Sequence, residues 1–566
     1  LSSAASDVYK RQVLLSTTIA CSPANESVST DIAPAARQAA VAMPEHNAAV
    51  VAQSILEEGG NAVDAAVAAA LVLAVTFPEA GNIGGGGFML VHFEGENAFL
   101  DYREKAPLAA ERDMYLDDDG EVIEGASLVG PLAVGVPGTI AGLWEAHRRY
   151  GQVPWIDLVR PAIALAEDGF IMPTFLAELI VEYREWMAPT NFWTYFGDAV
   201  AGKRFRQPEL AETLQRLAND GPDDFYRGET AQLIADYVER EGGLITLEDL
   251  DAYEAVWREP IRAVWRDYDL VTVPPPSSGG IALVTLLKMR DKLDAEFEGV
   301  GHNSPQYVHL IAEMEKRVFA DRAEYLGDPD FVDTRMDELL SDTYITRRAA
   351  EVDTQSISTL EASPPGLESH NTTHFSIIDA DGNAVSNTYT LNWYFGAGSV
   401  VEGAGFLLNN EMDDFSVKPG VANIFGVVGN TANEIQPGKR MLSSMTPTLL
   451  LKDGAVEVVV GTPGGSTIFT SIFQALLNML DHDMMPTEAA GASRFHHQLL
   501  PPDRVTYSPS RPLADSTIFG LESRGYDVIP HGWEFGDLQI IHRDNGELRA
   551  GSDARGRGEA RVFDIP

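Results

Sequence analysis

Asn371-Thr372-Thr373-His374-Phe375-Ser376-Ile377-Ile378-Asp379 and Ala384-Val385-Ser386-Asn387-Thr388-Tyr389-Thr390-Leu391-Asn392 are joined through Asp381-Gly382-Asn383. The joining residues are a turn signal, and β-branched and aromatic residues flank it on both sides, so the pattern predicts an antiparallel hairpin. The two open ends of a hairpin lie side by side. Thr372 and Thr373 at the start are thereby set close to Thr390 and Asn392 at the finish. Threonine-rich strands alone report only that β-branched residues suit a pleated surface.

Downstream, Leu407 to Phe415 (LLNNEMDDF) reads as an acidic loop, and Met441-Leu442-Ser443-Ser444-Met445-Thr446-Pro447 as a turn-rich segment. A second hairpin is expected over Leu449–Val460 around Asp453-Gly454, running into Gly461-Thr462-Pro463-Gly464-Gly465-Ser466-Thr467. A helix over Ile468–Leu480 should follow, with Ser466 or Thr467 as its cap. Glycines at such a strand-to-helix junction aim backbone N–H groups into a cleft, where a developing oxyanion needs donors. Adjacent His496 and His497 would point to opposite faces of a strand, and no HExxH or cysteine partner accompanies them, so no metal is expected. Strands near Asp537–Ile541 and an Asn545-Gly546 turn close the chain.

Upstream, Ser22–Ala40 reads as a low-complexity linker, followed by a helix from Pro44-Glu45 through Glu58 and a buried helix capped by Asn61. Its apolar run is too short to span a bilayer. The glycine run of Ala80 to Leu90 (AGNIGGGGFML) lacks the Lys-Ser/Thr of a phosphate loop and leads into a strand, which implies close backbone packing. Ala109–Ala350 reads mostly as helix and loop, with Ser304-Pro305 as a helix start. Ala350–Ser369 reads as a polar tail able to move once a bond near it is cut.

The chain has 566 residues and 45% hydrophobic content, ample for a core and too apolar for a disordered chain. Its 41 basic and 84 acidic residues give a net charge of −43, spread along the sequence. Such a surface repels phosphate backbones, so nucleic acid is excluded as a partner. The one cysteine, Cys21, rules out an intrachain disulfide. It ends the apolar run Val13–Ala20, a pattern similar to a bacterial export signal with a lipoprotein-type cysteine, although Thr18 stands where such sites usually carry Leu. Residues 1–42 are therefore expected to be a non-native leader, a truncated export signal and a linker, with the protein exported, periplasmic or lipid-anchored through Cys21.

Asn371-Thr372-Thr373-His374 is followed at close spacing by Asp381-Gly382-Asn383-Ala384-Val385 and Thr388-Tyr389-Thr390-Leu391-Asn392, and this combination resembles the γ-glutamyltranspeptidases, members of the N-terminal nucleophile hydrolases. The resemblance extends through Asp101-Tyr102-Arg103-Glu104-Lys105-Ala106-Pro107, the glycine run, Pro274–Gly280, Glu313–Asp330 and the segments around Glu411, Ser443 and Gly464, from about Met43 to Asp553.

The resemblance implies an α+β fold, the four-layer αββα sandwich, built jointly by two chains that one precursor makes by cutting itself between Asn371 and Thr372. The large subunit would be 43–371 and the small, catalytic subunit 372–566, together a heterodimer. It implies Thr372 as nucleophile and Thr390 as the residue orienting it, with Gly464 and Gly465 at the oxyanion. Arg103, Ser443 and Ser444 would hold the donor α-carboxylate, and Asn392, Glu411 and Asp414 its α-ammonium. Pro419–Gly438 resembles a lid loop, with Phe425 where Tyr is common. A hydroxyl nucleophile needs a base, and the α-amino group released at Thr372 has a reference pKa of about 8. The expected reaction is γ-glutamyl transfer from glutathione or a related donor to water, an amino acid or a peptide, with no cofactor. Two alternatives stay open: a glutaryl- or cephalosporin-type acylase of the same superfamily, and a non-enzymatic exported lipoprotein that binds amino acids or peptides.

Overall fold

The hairpin forms where its turn residues place it. Thr373–Ile378 pairs antiparallel with Ala384–Thr390, setting His374 opposite Thr388 and Ser376 opposite Ser386. This computed structural model describes residues 37–358, 372–418, 420, 421, 423, 429 and 431–565. The expected export signal with Cys21, Asn371, Phe425 and most of the expected tail lie outside the described residues.

The hairpin is the centre of a seven-stranded sheet in the order 559–565, 37–43, 373–378, 384–390, 86–93, 96–102, 256–258. A second sheet has six strands in the order 547–552, 539–544, 455–461, 448–452, 268–272, 261–265. Alternation along the strands assigns their faces. Ala39, Val41, Phe375, Ile377, Val385 and Tyr389 pack in one apolar cluster with the helix Ala62–Thr76. Ala40, Ala42, Ile378 and Ala384 pack in another with Leu449, Val458 and Ile540 of the second sheet and with the helices Gly279–Lys292, Pro305–Tyr325 and Ile468–Leu480. Helix, sheet, sheet and helix therefore stack in the αββα order.

Polar side chains from the hairpin fill part of the gap between the sheets. Ser386 Oγ donates to Val460 O at 3.2 Å and accepts from Thr448 N at 3.1 Å, while Ser376 Oγ donates to Gln539 O at 3.0 Å. His374 is wholly buried between Thr388 Oγ1 at 2.7 Å and Ser376 Oγ at 3.1 Å. Burial pushes its pKa down to about 3, so it is a neutral hydrogen-bonding strut and not a base at neutral pH.

Two expectations are corrected. Arg37–Met43, read as linker to Ala40 and leader to 42, is a strand paired with both 559–565 and 373–378. Its alanines suit a position sealed on both faces, and pairing partners far away in sequence override their weak strand preference. The stretch Ala109–Ala350 is mostly helix and loop, as expected, and within it lie three strands of the two large sheets, 256–258, 261–265 and 268–272, and the short pair 170–171 and 204–205. The helix Ile468–Leu480 has its expected bounds, but Thr467 Oγ1 donates to Gly464 O at 2.8 Å and caps no helical N–H.

Candidate active site

Thr372 stands one residue before the central strand and is 9% exposed. Beside it, Thr390 Oγ1 accepts from the backbone N–H of Asn392 at 2.7 Å. Asn392 turns the chain away from the sheet at φ 75°, a region that Asn tolerates better than most residues. Its Nδ2 donates to Asn410 O at 3.0 Å, and Trp393 N donates back to Asn410 Oδ1 at 2.9 Å. The end of the hairpin is thus tied to the acidic loop that carries Glu411 and Asp414.

The glycine run makes this junction possible. Gly85 N donates to Asn82 Oδ1 at 2.9 Å, and Asn409 Nδ2 donates to Gly84 O at 2.9 Å and Gly135 O at 2.8 Å. A Cβ at Gly85 would collide with the carbonyl oxygen of Thr390. Gly85→Ala is expected to cost about 3 kcal/mol of folding stability and to lower turnover by displacing Thr390. Urea unfolding with parallel kinetics checks this, and an unchanged midpoint contradicts it.

Arg103 is a buried guanidinium among three acids. Its Nη1 lies 2.7 Å from Glu411 and 3.6 Å from Glu104, its Nη2 pairs with Asp414, and its Nε donates to Met441 O at 3.4 Å. Burial opposes its charge, but Glu411, Asp414 and Glu104 outweigh that and hold its pKa above the ordinary value. Burial raises the pKa of Glu411 well above the carboxylate range and raises that of Asp414, with Arg103 pulling both back.

Ser443 and Ser444 are held by the segment around Pro276. Ser443 N donates to Pro276 O at 2.8 Å, and Ser278 N and Oγ each donate to Ser443 O at 2.8 Å. Gly464 and Gly465 have φ of 135° and 54°, backbone that side-chain-bearing residues rarely adopt. The turn Gly465–Thr467 leads directly into the helix from Ile468, whose N-terminus favours negative charge.

These elements converge on one cleft. Thr372, Thr390, Gly465, Arg103, Asn392, Glu411, Asp414, Ser443 and Ser444 all line it, and Gly464 does not. Sequence reading missed Arg322, Ser466, Met445 and Ile468, which also line it. Arg322 belongs to the Glu313–Asp330 block read as scaffold. His496 and His497 sit elsewhere: His496 bonds Thr470 Oγ1 at 3.0 Å and His497 Nδ1 donates to Arg504 O at 2.7 Å. Among the described residues no group of three or more His, Cys, Asp or Glu is arranged to hold a metal ion. The cleft joins threonine and serine hydroxyls, two guanidiniums and two carboxylates, a set suited to orienting an amino-acid head beside a hydroxyl.

The family model described as gamma-glutamyltranspeptidase matches residues 48–563. A glutathione hydrolase proenzyme from Pseudomonas aeruginosa is 56% identical over 524 residues, covering 92% of this chain and 93% of that protein. The crystal structure of a cephalosporin acylase from Bacillus halodurans aligns with TM-score 0.81 at 28% identity, covering 93% of this chain and 96% of that one. A γ-glutamyltranspeptidase from Pseudomonas nitroreducens complexed with L-DON aligns with TM-score 0.55 at 53% identity, covering 56% of this chain and 95% of that chain.

Proposed function

Because this chain belongs to the γ-glutamyltranspeptidase family and is an enzyme of γ-glutamyl transfer or hydrolysis, we propose that its chemistry runs through Thr372 after self-cleavage between Asn371 and Thr372. The observation that carries the reading is the convergence of Thr372, Arg103, Glu411, Asp414 and the Ser443-Ser444 pair on a single cleft. Cleavage frees the α-amino group of Thr372, which takes the proton as Thr372 Oγ1 attacks the γ-carbonyl of the donor. Gly465, which lines the cleft, donates its backbone N–H to the oxyanion, with Gly464 shaping the turn that presents it; losing one such donor typically costs about 3 kcal/mol of transition-state stabilisation. The tetrahedral intermediate expels the amine, which leaves with the proton held by the Thr372 ammonium. Water or an amino acid then attacks the Thr372 ester and releases the γ-glutamyl group.

Arg103, Ser443 and Ser444 hold the donor α-carboxylate, and Asn392, Glu411 and Asp414 hold the α-ammonium. A γ-linked glutamyl group presents both, which makes glutathione a fitting donor. The apolar run Val13–Ala20 before Cys21 supports export, to the periplasm or to a lipid anchor. No helix among the described residues is long and apolar enough to cross a membrane.

Intact-mass analysis of the purified protein with a γ-glutamyl-p-nitroanilide assay tests the reading. Two chains meeting at Asn371/Thr372 together with turnover are expected, and an uncut chain that turns over the anilide contradicts the mechanism. The likeness to a cephalosporin acylase supports a second reading, a glutaryl-type donor. The two buried carboxylates favour a donor with an α-ammonium, so faster turnover of glutaryl-p-nitroanilide than of the γ-glutamyl anilide would reverse the preference.

A further inference from the structure

We propose that Arg322 is a second guanidinium of the donor site, one that binds the α-carboxylate directly and sets specificity for it; this rests on the reading of the cleft given above. Arg103 has little cationic capacity to spare. Its Nη1 and Nη2 face Glu411 and Asp414, and its Nε is turned to Met441 O. An incoming α-carboxylate would have to compete with two acids already paired to that one guanidinium.

Arg322 is placed differently. It lines the same cleft, is 7% exposed, and has neutral partners: Nε donates to Ser278 Oγ at 3.1 Å and Nη2 to Ser444 Oγ at 3.4 Å. Among the described residues no carboxylate comes within ion-pair distance of it. A buried cation with no carboxylate in direct contact is costly, even with Asp414 nearby, and a ligand anion that touches it is bound correspondingly well. Burial and the neighbouring Arg103 lower its pKa to about 10, with Asp414 opposing, which leaves it charged at neutral pH.

The charges then match an amino-acid head. A zwitterion entering with its ammonium toward Glu411 and Asp414 brings its carboxylate toward the serines and Arg322. Ser444 Oγ is within hydrogen-bond reach of Arg322, so a carboxylate touching Ser444 falls within reach of the guanidinium as well. The planar fork suits bidentate carboxylate binding, which a lysine would not reproduce.

The test is inhibition of γ-glutamyl-p-nitroanilide turnover by L-glutamate and by 4-aminobutyrate, which keeps the amine and the γ-carboxylate but lacks the α-carboxylate. Arg322→Gln is expected to raise Ki for L-glutamate about tenfold or more and to move Ki for 4-aminobutyrate less than about threefold. Equal changes for both probes, or none for L-glutamate, overturn the proposal. A Ser444→Ala background separates direct contact from support of Ser444. The L-glutamate effect persists there if Arg322 touches the carboxylate, and its disappearance overturns the proposal. If Arg322→Gln fails to fold, Arg322→Lys carries the same comparison. A wild type that does not turn over the anilide sinks the reading of the cleft itself, whereas turnover with unselective inhibition sinks only the role of Arg322.

Discussion

Thr372→Ala is expected to leave the chain uncut and to lower γ-glutamyl transfer by at least about 10⁴-fold, the scale seen when a covalent nucleophile is removed. Two functions are lost together because one side chain serves both. On the proposed mechanism the hydroxyl at Thr372 attacks the preceding carbonyl during self-cleavage and the donor carbonyl during turnover, and the base for turnover exists only after the cut. Thr372→Ser keeps the hydroxyl and should retain both processes at reduced rates. The pair separates chemistry from folding, since removing one methyl and one hydroxyl at a strand end leaves the hairpin ladder from Thr373 to Ile378 in place. Denaturing electrophoresis and anilide kinetics read both effects; an active, uncut Thr372→Ala chain would exclude Thr372 as nucleophile.

Arg103→Met should be the most destabilising substitution in the cleft, costing about 3 to 5 kcal/mol, because it leaves buried acids without the cation that faces them. Glu104 and Glu411 are fully buried and Asp414 nearly so. The defect has a pH signature. Removing the guanidinium raises carboxylate pKa values further in the folded state, so below those values the folded chain binds more protons than the unfolded one. Stability of the variant must then rise as pH falls from 8 toward 5, on the order of 1 kcal/mol per unit for one such group. The wild type carries the same sign in smaller measure, since burial already holds Glu104 well above the usual carboxylate range. Urea midpoints at both ends of that range decide it; a variant that loses stability on acidification would show that the acids do not depend on Arg103.

The parts of the fold legible in the sequence were those with local signals. The hairpin had its Asp-Gly-Asn turn, the helix Ile468–Leu480 its apolar run after paired glycines, and the second hairpin its Asp453-Gly454 turn, where both residues adopt positive φ. Arg37–Met43 gave no such signal, because alanine-rich strands are specified by what they pair with. The cleft followed the same rule. Residues embedded in distinctive motifs, such as Arg103 and Asp414, could be singled out by resemblance. Arg322 also lay in a resembling block, Glu313–Asp330, but read as scaffold because it sits in the last turn of a long helix among other charged residues, and only folding brings that turn to Ser444.

The strand order of the first sheet carries a consequence for the life history of the protein. The hairpin 373–390 lies between strands 37–43 and 86–93, and strand 559–565 flanks 37–43 on its other side. A cut before Thr372 therefore yields two polypeptides that alternate within one hydrogen-bonded ladder, neither owning a complete sheet. Before the cut, the covalent link gives the halves an effective concentration of the order of millimolar. Afterwards that advantage is gone, and reassembly from the unfolded state depends on the encounter of two separate chains. Refolding is therefore unimolecular before the cut and bimolecular after it. The precursor should refold from denaturant at any protein concentration, while the mature pair should recover only at high concentration, which makes the cut enzyme a kinetically maintained state.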